Sequence, residues 1–240
     1  MKILLLGEYS NVHWTLSEGL RALGHDVCVI SDGDGWKNYP RDINLKREQG
    51  KIGGLKYYIS VLKNLRHMRG YDVVQIINPM FLELKAEKIY PFYKYLRRHN
   101  KKVFMGAFGM DHYWAKAGCD CHTFRYSDFN LGTQLRHTPD TELFKAEWLT
   151  GPKGELNRRI AHDCDGIVCG LYEYYASYMA HFDQKEKLTH IPFPIIIEPH
   201  TADDRTLKPI RFFIGIQRSR SAYKGTDIML AALEKLHSRY

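Results

Sequence analysis

Residues 1–30 read MKILLLGEYSNVHWTLSEGLRALGHDVCVI, and this stretch decides the fold. Ile3–Leu6 is a continuous apolar run, fit for a strand buried on both faces. Val12, Leu16, Leu20 and Leu23 then recur at helical spacing, and Gly24 is a C-terminal stop. Val27–Ile30 is a second apolar run, closed by the turn-rich Ser31-Asp32-Gly33-Asp34-Gly35. Strand, helix and strand in that order make a βαβ unit, whose strands lie parallel.

The alternation continues outward from there. Ile52, Leu55, Ile59 and Leu62 predict a helix with an apolar stripe for the core. Val73–Ile77 is a third strand. Leu82, Ala86, Ile89, Tyr93 and Leu96 form another stripe, in which Pro91 predicts a kink or a break. Val103–Ala107 is a fourth strand. Gly109 to about Gly154 reads as a long loop with short helices, the kind of segment that carries function. Leu156 and Ile160 then sit on a helix and Gly166–Cys169 on a strand. Leu171, Tyr175, Tyr178 and Phe182 mark a helix, and Leu188–Ile191 a short strand. Residues 1–197 are therefore expected to form a doubly wound parallel α/β sheet with helices on both faces. Polar residues 198–209 read as a linker. In residues 210–240, Ile210–Ile216 is expected as a strand, Gln217–Tyr223 as a polar loop and Gly225–His237 as an amphipathic helix. One such unit cannot bury its own apolar face, so it reads as the start of a truncated second α/β domain. The alternative is that it adds to the first sheet.

Composition narrows the class. Hydrophobic residues make up 44% of the 240 and charged residues 26%, a profile that excludes a disordered or fibrous chain. No apolar run reaches membrane-spanning length, and Glu8 cuts the N-terminal run short of a signal-peptide core. The expected location is cytoplasmic. Cys28, Cys119, Cys121, Cys164 and Cys169 are an odd, scattered set, read as reduced thiols. Net charge is +8, which favours anionic partners: nucleic acid, phosphorylated small molecules or an anionic membrane face.

Two loops carry candidate chemistry. Gly7-Glu8-Tyr9-Ser10-Asn11 follows the first strand, at the end where open α/β sheets bind ligands. Ser10 or Asn11 is placed to cap the helix, and free amides there would favour an anion. The dinucleotide fingerprint Gly-x-Gly-x-x-Gly is missing, because positions 9 and 12 are Tyr and Val; a redox Rossmann enzyme is disfavoured. The second loop follows Ile214-Gly215-Ile216. Arg218 and Lys224 lie across it, Gly225 lets the backbone approach a ligand, and the pair suits a diphosphate. A solvated basic loop is the plainer reading.

The stretch Ile214–Asp227 resembles the start of the C-terminal domain in GT-B-fold glycosyltransferases, family 4 in particular. There a strand ending in Gly leads to an Arg and then to a Lys-Gly pair. Gly19–Ile30 is similar to the family's first helix and second strand, and Tyr71–Gln75 to its third-strand entry. Ala107–Asp111 resembles the corner after the fourth strand, and Ile191-Pro192-Phe193-Pro194 the exit from the first domain. The resemblance spans most of the chain, with Gly7-Glu8 standing where the family has a Gly-Gly pair. The later pair of glutamates that binds donor sugar and ribose is not found before Tyr240.

The resemblance implies a Rossmann-like, acceptor-side N-terminal domain and a hexosyltransferase activity. A sugar would pass from a nucleotide-diphosphate donor to a hydroxyl on a glycan or lipid-linked acceptor, with retention, in cell-surface glycan or polysaccharide synthesis. Arg218, Lys224, Gly225 and Gly7 would hold the diphosphate, without metal or cofactor. Ser10, Asn11 and His13 would face the acceptor or cleft. Asp111 or His112 would accept a proton or bind a hydroxyl, against the plainer reading of a capping Asp and a loop His. A sugar-nucleotide epimerase, or a non-catalytic sugar-phosphate-binding protein of the same fold, is the alternative. The 240-residue chain alone is expected to be inactive.

Three other readings compete for smaller segments. Cys119-Asp120-Cys121-His122 invites zinc, but the spacing is not that of a zinc knuckle and no second ligand pair follows. Tyr90–Lys102 mixes aromatics with cations and suits peripheral contact with an anionic membrane, at its inner face; the bland reading is a core stripe beside a solvated basic face. Nucleic acid would also answer to the charge, yet no recognition motif accompanies it, and none is expected as a partner.

Overall fold

Seven parallel strands form one sheet in the computed structural model, which describes residues 1–197, 213–216 and 225–239. They are β1 (Lys2–Leu6), β2 (Asp26–Ser31), β3 (Ile43–Asn44), β4 (Val73–Ile76), β5 (Lys102–Ala107), β8 (Gly166–Cys169) and β9 (Leu188–His190). Their order is β3-β2-β1-β4-β5-β8-β9, so β1 and β4 are the central pair at which the winding reverses. A separate hairpin joins β6 (Asn130–Leu131) to β7 (Gln134–Leu135).

The continuous apolar runs are explained by burial on both faces. Leu4 and Leu6 of β1 pair with Val74 and Ile76 of β4, and so share one face with them. That face lies in one cluster with Tyr57 and Val61 of α2 (Gly50–Asn64), and with Ile89, Tyr93 and Leu96 of α3 (Ala86–His99). Ile3, Leu5, Val27 and Val29 point the other way, against Trp14, Leu16 and Leu20 of α1 (Val12–Ala22).

Three expectations need correction and a fourth is met. Helix α2 forms, but Ile52, Leu55, Ile59 and Leu62 are exposed; Gly53, Tyr57 and Val61 face the core instead. Pro91 does not break α3. It lies on the exposed side, where the carbonyl it leaves without a partner is open to water. The segment after Gly109 holds the short helices expected of it, α4 (His112–Cys119) and α5 (Pro139–Lys145), with the hairpin between them and a π-helical turn at Ala146–Thr150 leading to α6 (Pro152–Asp163). Ala115, Phe129 and Trp148 give it a small core of its own. Finally, Phe213–Ile216 is not in a strand. No neighbouring strand completes a ladder for it among the described residues. Residues 210–212 and the 198–209 linker lie outside the described residues.

Helix α7 (Tyr172–His181) follows β8, and α8 (Thr226–His237) stands near the end of the chain. The chain divides into two compact units, Met1–Ile196 and Ile197–Tyr240. In the second, Ile228, Met229, Leu230 and Leu236 of α8 are exposed.

Candidate functional site

The carboxyl ends of β1, β2 and β4 frame a narrow crevice, with an enclosed volume of about 20 Å³. Gly7, Glu8 and Tyr9 come from the loop after β1, Ser31 and Asp32 from the end of β2, and Ile77 to Glu83 from the loop after β4. This places it beside the point where the winding reverses, the usual ligand position in such sheets. Gly7 has φ 87°, and a Cβ there would run into the Ile77 side chain, so only glycine fits.

Glu8 organises the loop. Its carboxylate accepts from the amides of His13 at 3.2 Å and Trp14 at 2.9 Å, and so caps α1. Neither Ser10 nor Asn11 caps the helix with its side chain; Asn11 occupies the N-cap position at φ 66° and Ser10 has φ 53°. The Ser10 amide donates to Asp34 Oδ2 at 2.8 Å. Amides that sequence reading kept free for an anion are thus taken by the chain's own carboxylates. Glu8 is 2% exposed, and burial raises its carboxyl to about 7, against the lowering effect of the amides and with a further push from Asp34. Burial and the charge of Asp32 raise Glu83 as well.

His13 faces neither cleft nor solvent. The ring is fully buried, with Nδ1 2.7 Å from the Gly7 carbonyl and Nε2 3.2 Å from Gln75 Nε2. A carbonyl needs a donor, so Nδ1 carries the proton and Nε2 accepts from Gln75. Burial lowers its pKa to about 4, and the neutral ring holds the Gly7 turn from below.

Asp111 and His112 are also interior. Asp111 is the N-cap of α4: Oδ1 accepts from the Trp114 amide at 2.8 Å and Oδ2 from the Tyr178 hydroxyl at 2.7 Å. Burial raises its carboxyl to about 6. His112 belongs to the first turn of α4, not to a loop. Its amide donates to Asn157 Oδ1 at 2.9 Å, its Nδ1 lies 2.8 Å from the Trp148 carbonyl, and burial lowers its pKa. Both residues tie the segment after β5 to α6 and α7, and neither lines the crevice.

Arg218 and Lys224 lie outside the described residues. Gly225 is the N-cap of α8, at φ 65°. In the cysteine-rich turn, Asp120 is committed to the loop: it accepts from the amides of His122 and Thr123, and its Oδ2 lies 2.6 Å from His181 Nε2. Sequence reading overlooked Glu8, Asp32 and Glu83 as site residues. The signal was their place after β1, β2 and β4, which a sheet order with β1 at its centre brings to one edge.

No protein-family model matches the chain, and no curated protein is significantly similar to it.

Proposed function

We propose that this chain is the acceptor-side part of a glycosyltransferase, moving a sugar from a nucleotide-diphosphate donor to a hydroxyl acceptor. The observation that carries the reading is the crevice lined by Glu8, Asp32 and Glu83 at the reversal point of a parallel sheet. Carboxylates accept hydrogen bonds, so they suit the hydroxyls of a sugar and repel a phosphate. The donor's diphosphate is assigned to Arg218 and Lys224, by resemblance, where their charge would offset that of the leaving group.

Within this reading Glu83 and Asp32 orient the acceptor and Glu8 takes the proton from its attacking hydroxyl. A carboxyl held near 7 is matched to that task. It must be ionised to act, so turnover should rise with pH through about 7. Glu8→Gln should lower turnover by roughly 10²–10⁴ and abolish that rise. Because the 240-residue chain alone is expected to be inactive, these measurements and the assay, product analysis with a panel of nucleotide-diphosphate sugars and hydroxyl acceptors, are made on a full-length enzyme. An isomerised donor with no transferred sugar would favour the epimerase alternative, and the absence of donor binding by calorimetry would end both.

A further inference from the structure

Helix α2 turns its aliphatic stripe outward. Ile52, Leu55, Ile59 and Leu62 are 74%, 62%, 43% and 45% exposed. Their spacing lines them along one side of the helix, opposite the Gly53, Tyr57 and Val61 side that enters the core. The stripe is therefore not used for packing within the described residues.

Charge around the stripe has one sign. Residues 49–70 include Lys51, Lys56, Lys63, Arg66 and Arg69, and no Asp or Glu. All five cations are exposed. On the helix, Lys51 borders one side of the stripe and Lys56 and Lys63 the other. Among the described residues, Glu48 pairs with Lys56 on this rim at 3.0 Å, with both side chains mostly in water, where such a pair contributes little.

The rim continues onto α3. Tyr95 donates its hydroxyl to the Leu65 carbonyl at 3.1 Å, Asn100 Nδ2 donates to Met68 at 3.0 Å, and the Gly70 amide to His99 at 2.9 Å. These bonds set Arg66 and Arg69 beside the last turn of α3, with its Arg97, Arg98 and His99. An open recess on that turn is lined by Lys94, Arg97, Arg98 and His99 and by one carboxylate, Asp163, which pairs with Arg97 at 3.2 Å. Arg97 is paired with Asp163 and Asp165, Lys101 with Asp72 and Lys102 with Asp165, so within Tyr90–Lys102 it is Lys94 and Arg98, with His99, that flank a larger patch whose apolar centre is on α2.

We propose that α2 is an interfacial helix, which lays Ile52, Leu55, Ile59 and Leu62 into an anionic lipid surface while the surrounding lysines and arginines meet the headgroups. An amphipathic helix with aliphatics on one side and lysines at its borders has the chemistry of the acyl–headgroup boundary. A second copy is a poorer occupant. Two stripes face to face would bring both lysine sets together, with Glu48 the one carboxylate paired on this rim among the described residues. Four side chains also fall far short of the roughly 20–30 residues a side in a stable interface. The proposal goes beyond sugar transfer and does not depend on it, because vesicle binding and donor binding are read separately.

The test is flotation of the full chain with vesicles of phosphatidylcholine, alone or mixed with phosphatidylglycerol. The chain should float with the mixed vesicles, less so as salt is raised, and stay behind with phosphatidylcholine alone. Leu55→Ser with Ile59→Ser should reduce partitioning at least about tenfold. Lys56→Gln and Lys63→Gln should each reduce it about fivefold. All four residues are exposed, so the circular dichroism spectrum and melting curve should not change. Failure of the unmodified chain to float with the anionic vesicles would overturn the proposal, as would unchanged flotation of the serine variant. A doubled mass in light scattering that the serine variant abolishes would assign the stripe to a second copy instead.

Discussion

Helices α2 and α3 lie side by side on the same face of the sheet. Tyr58 meets Phe92 edge-on at 5.8 Å, and the Lys88 ammonium lies over the Tyr58 ring. Each carries an apolar stripe at helical spacing, yet only α3 buries it. Ile89, Tyr93 and Leu96 are at most 1% exposed, while Glu87, Lys88, Pro91, Lys94 and Arg98 face water. In α2 the direction is reversed, and Gly53 shows why. A Cβ at this position would run into the Glu48 carbonyl, so the incoming chain is seated directly on the helix backbone. Close backbone approach plus the long reach of Tyr57, whose hydroxyl accepts from the Glu83 amide at 3.0 Å, fixes the inward side. The aliphatics take what remains. Period identifies a helix; the residue that permits the closest approach decides which way it faces.

The largest expected effect belongs to the buried stripe. Ile89→Ala should cost about 2–5 kcal/mol in urea unfolding, since it opens a cavity in a filled core. A loss below 1 kcal/mol would mean that α3 is held no better than α2. The glycines of α2 sharpen the contrast. Gly53→Ala should cost roughly 1–3 kcal/mol, because backbone must move to admit the methyl group. Gly54→Ala meets only the tip of the Arg47 side chain, and should gain up to about 1 kcal/mol from helix propensity. Equal effects at the two positions would remove Gly53 as the seat of the helix. The smallest effect is at the exposed stripe: Ile59→Ser should shift stability by no more than about 0.5 kcal/mol. A larger loss would show that the stripe is packed in solution.

Much of the sheet was readable because parallel strands covered on both sides must be apolar throughout. Ile3–Leu6, Val73–Ile76 and Val103–Ala107 carry that mark. Strand β3, at two residues, is too short to show it. The site was legible only as a place. The loop after β1 announces itself by following a strand, but the character of Glu8 comes from burial and from Asp34, which a different loop supplies. Glu83 sits in no motif. Asp111 and His112 stand out as polar residues after a strand, yet what hides them comes from far along the chain: Tyr178 is 67 residues from Asp111, and Trp148 is 36 from His112. Local spacing cannot report such partners.

The ends of the strand order matter for behaviour in concentrated solution. A sheet invites extra strands at its margins, where amides and carbonyls are left over. Here one margin is β3, two residues long, and the other is β9, with three. Beyond β9 the chain runs into Pro192 and Pro194, which have no amide hydrogen to offer a newcomer. Strand β3 covers only Ile30 and Ser31 of β2, and the open stretch before them is closed by side chains: Arg21 donates to the Val27 carbonyl at 3.0 Å and Asp42 accepts from the Val29 amide at 2.7 Å. Among the described residues, the margins of this sheet therefore offer a neighbouring chain little template on which to polymerise.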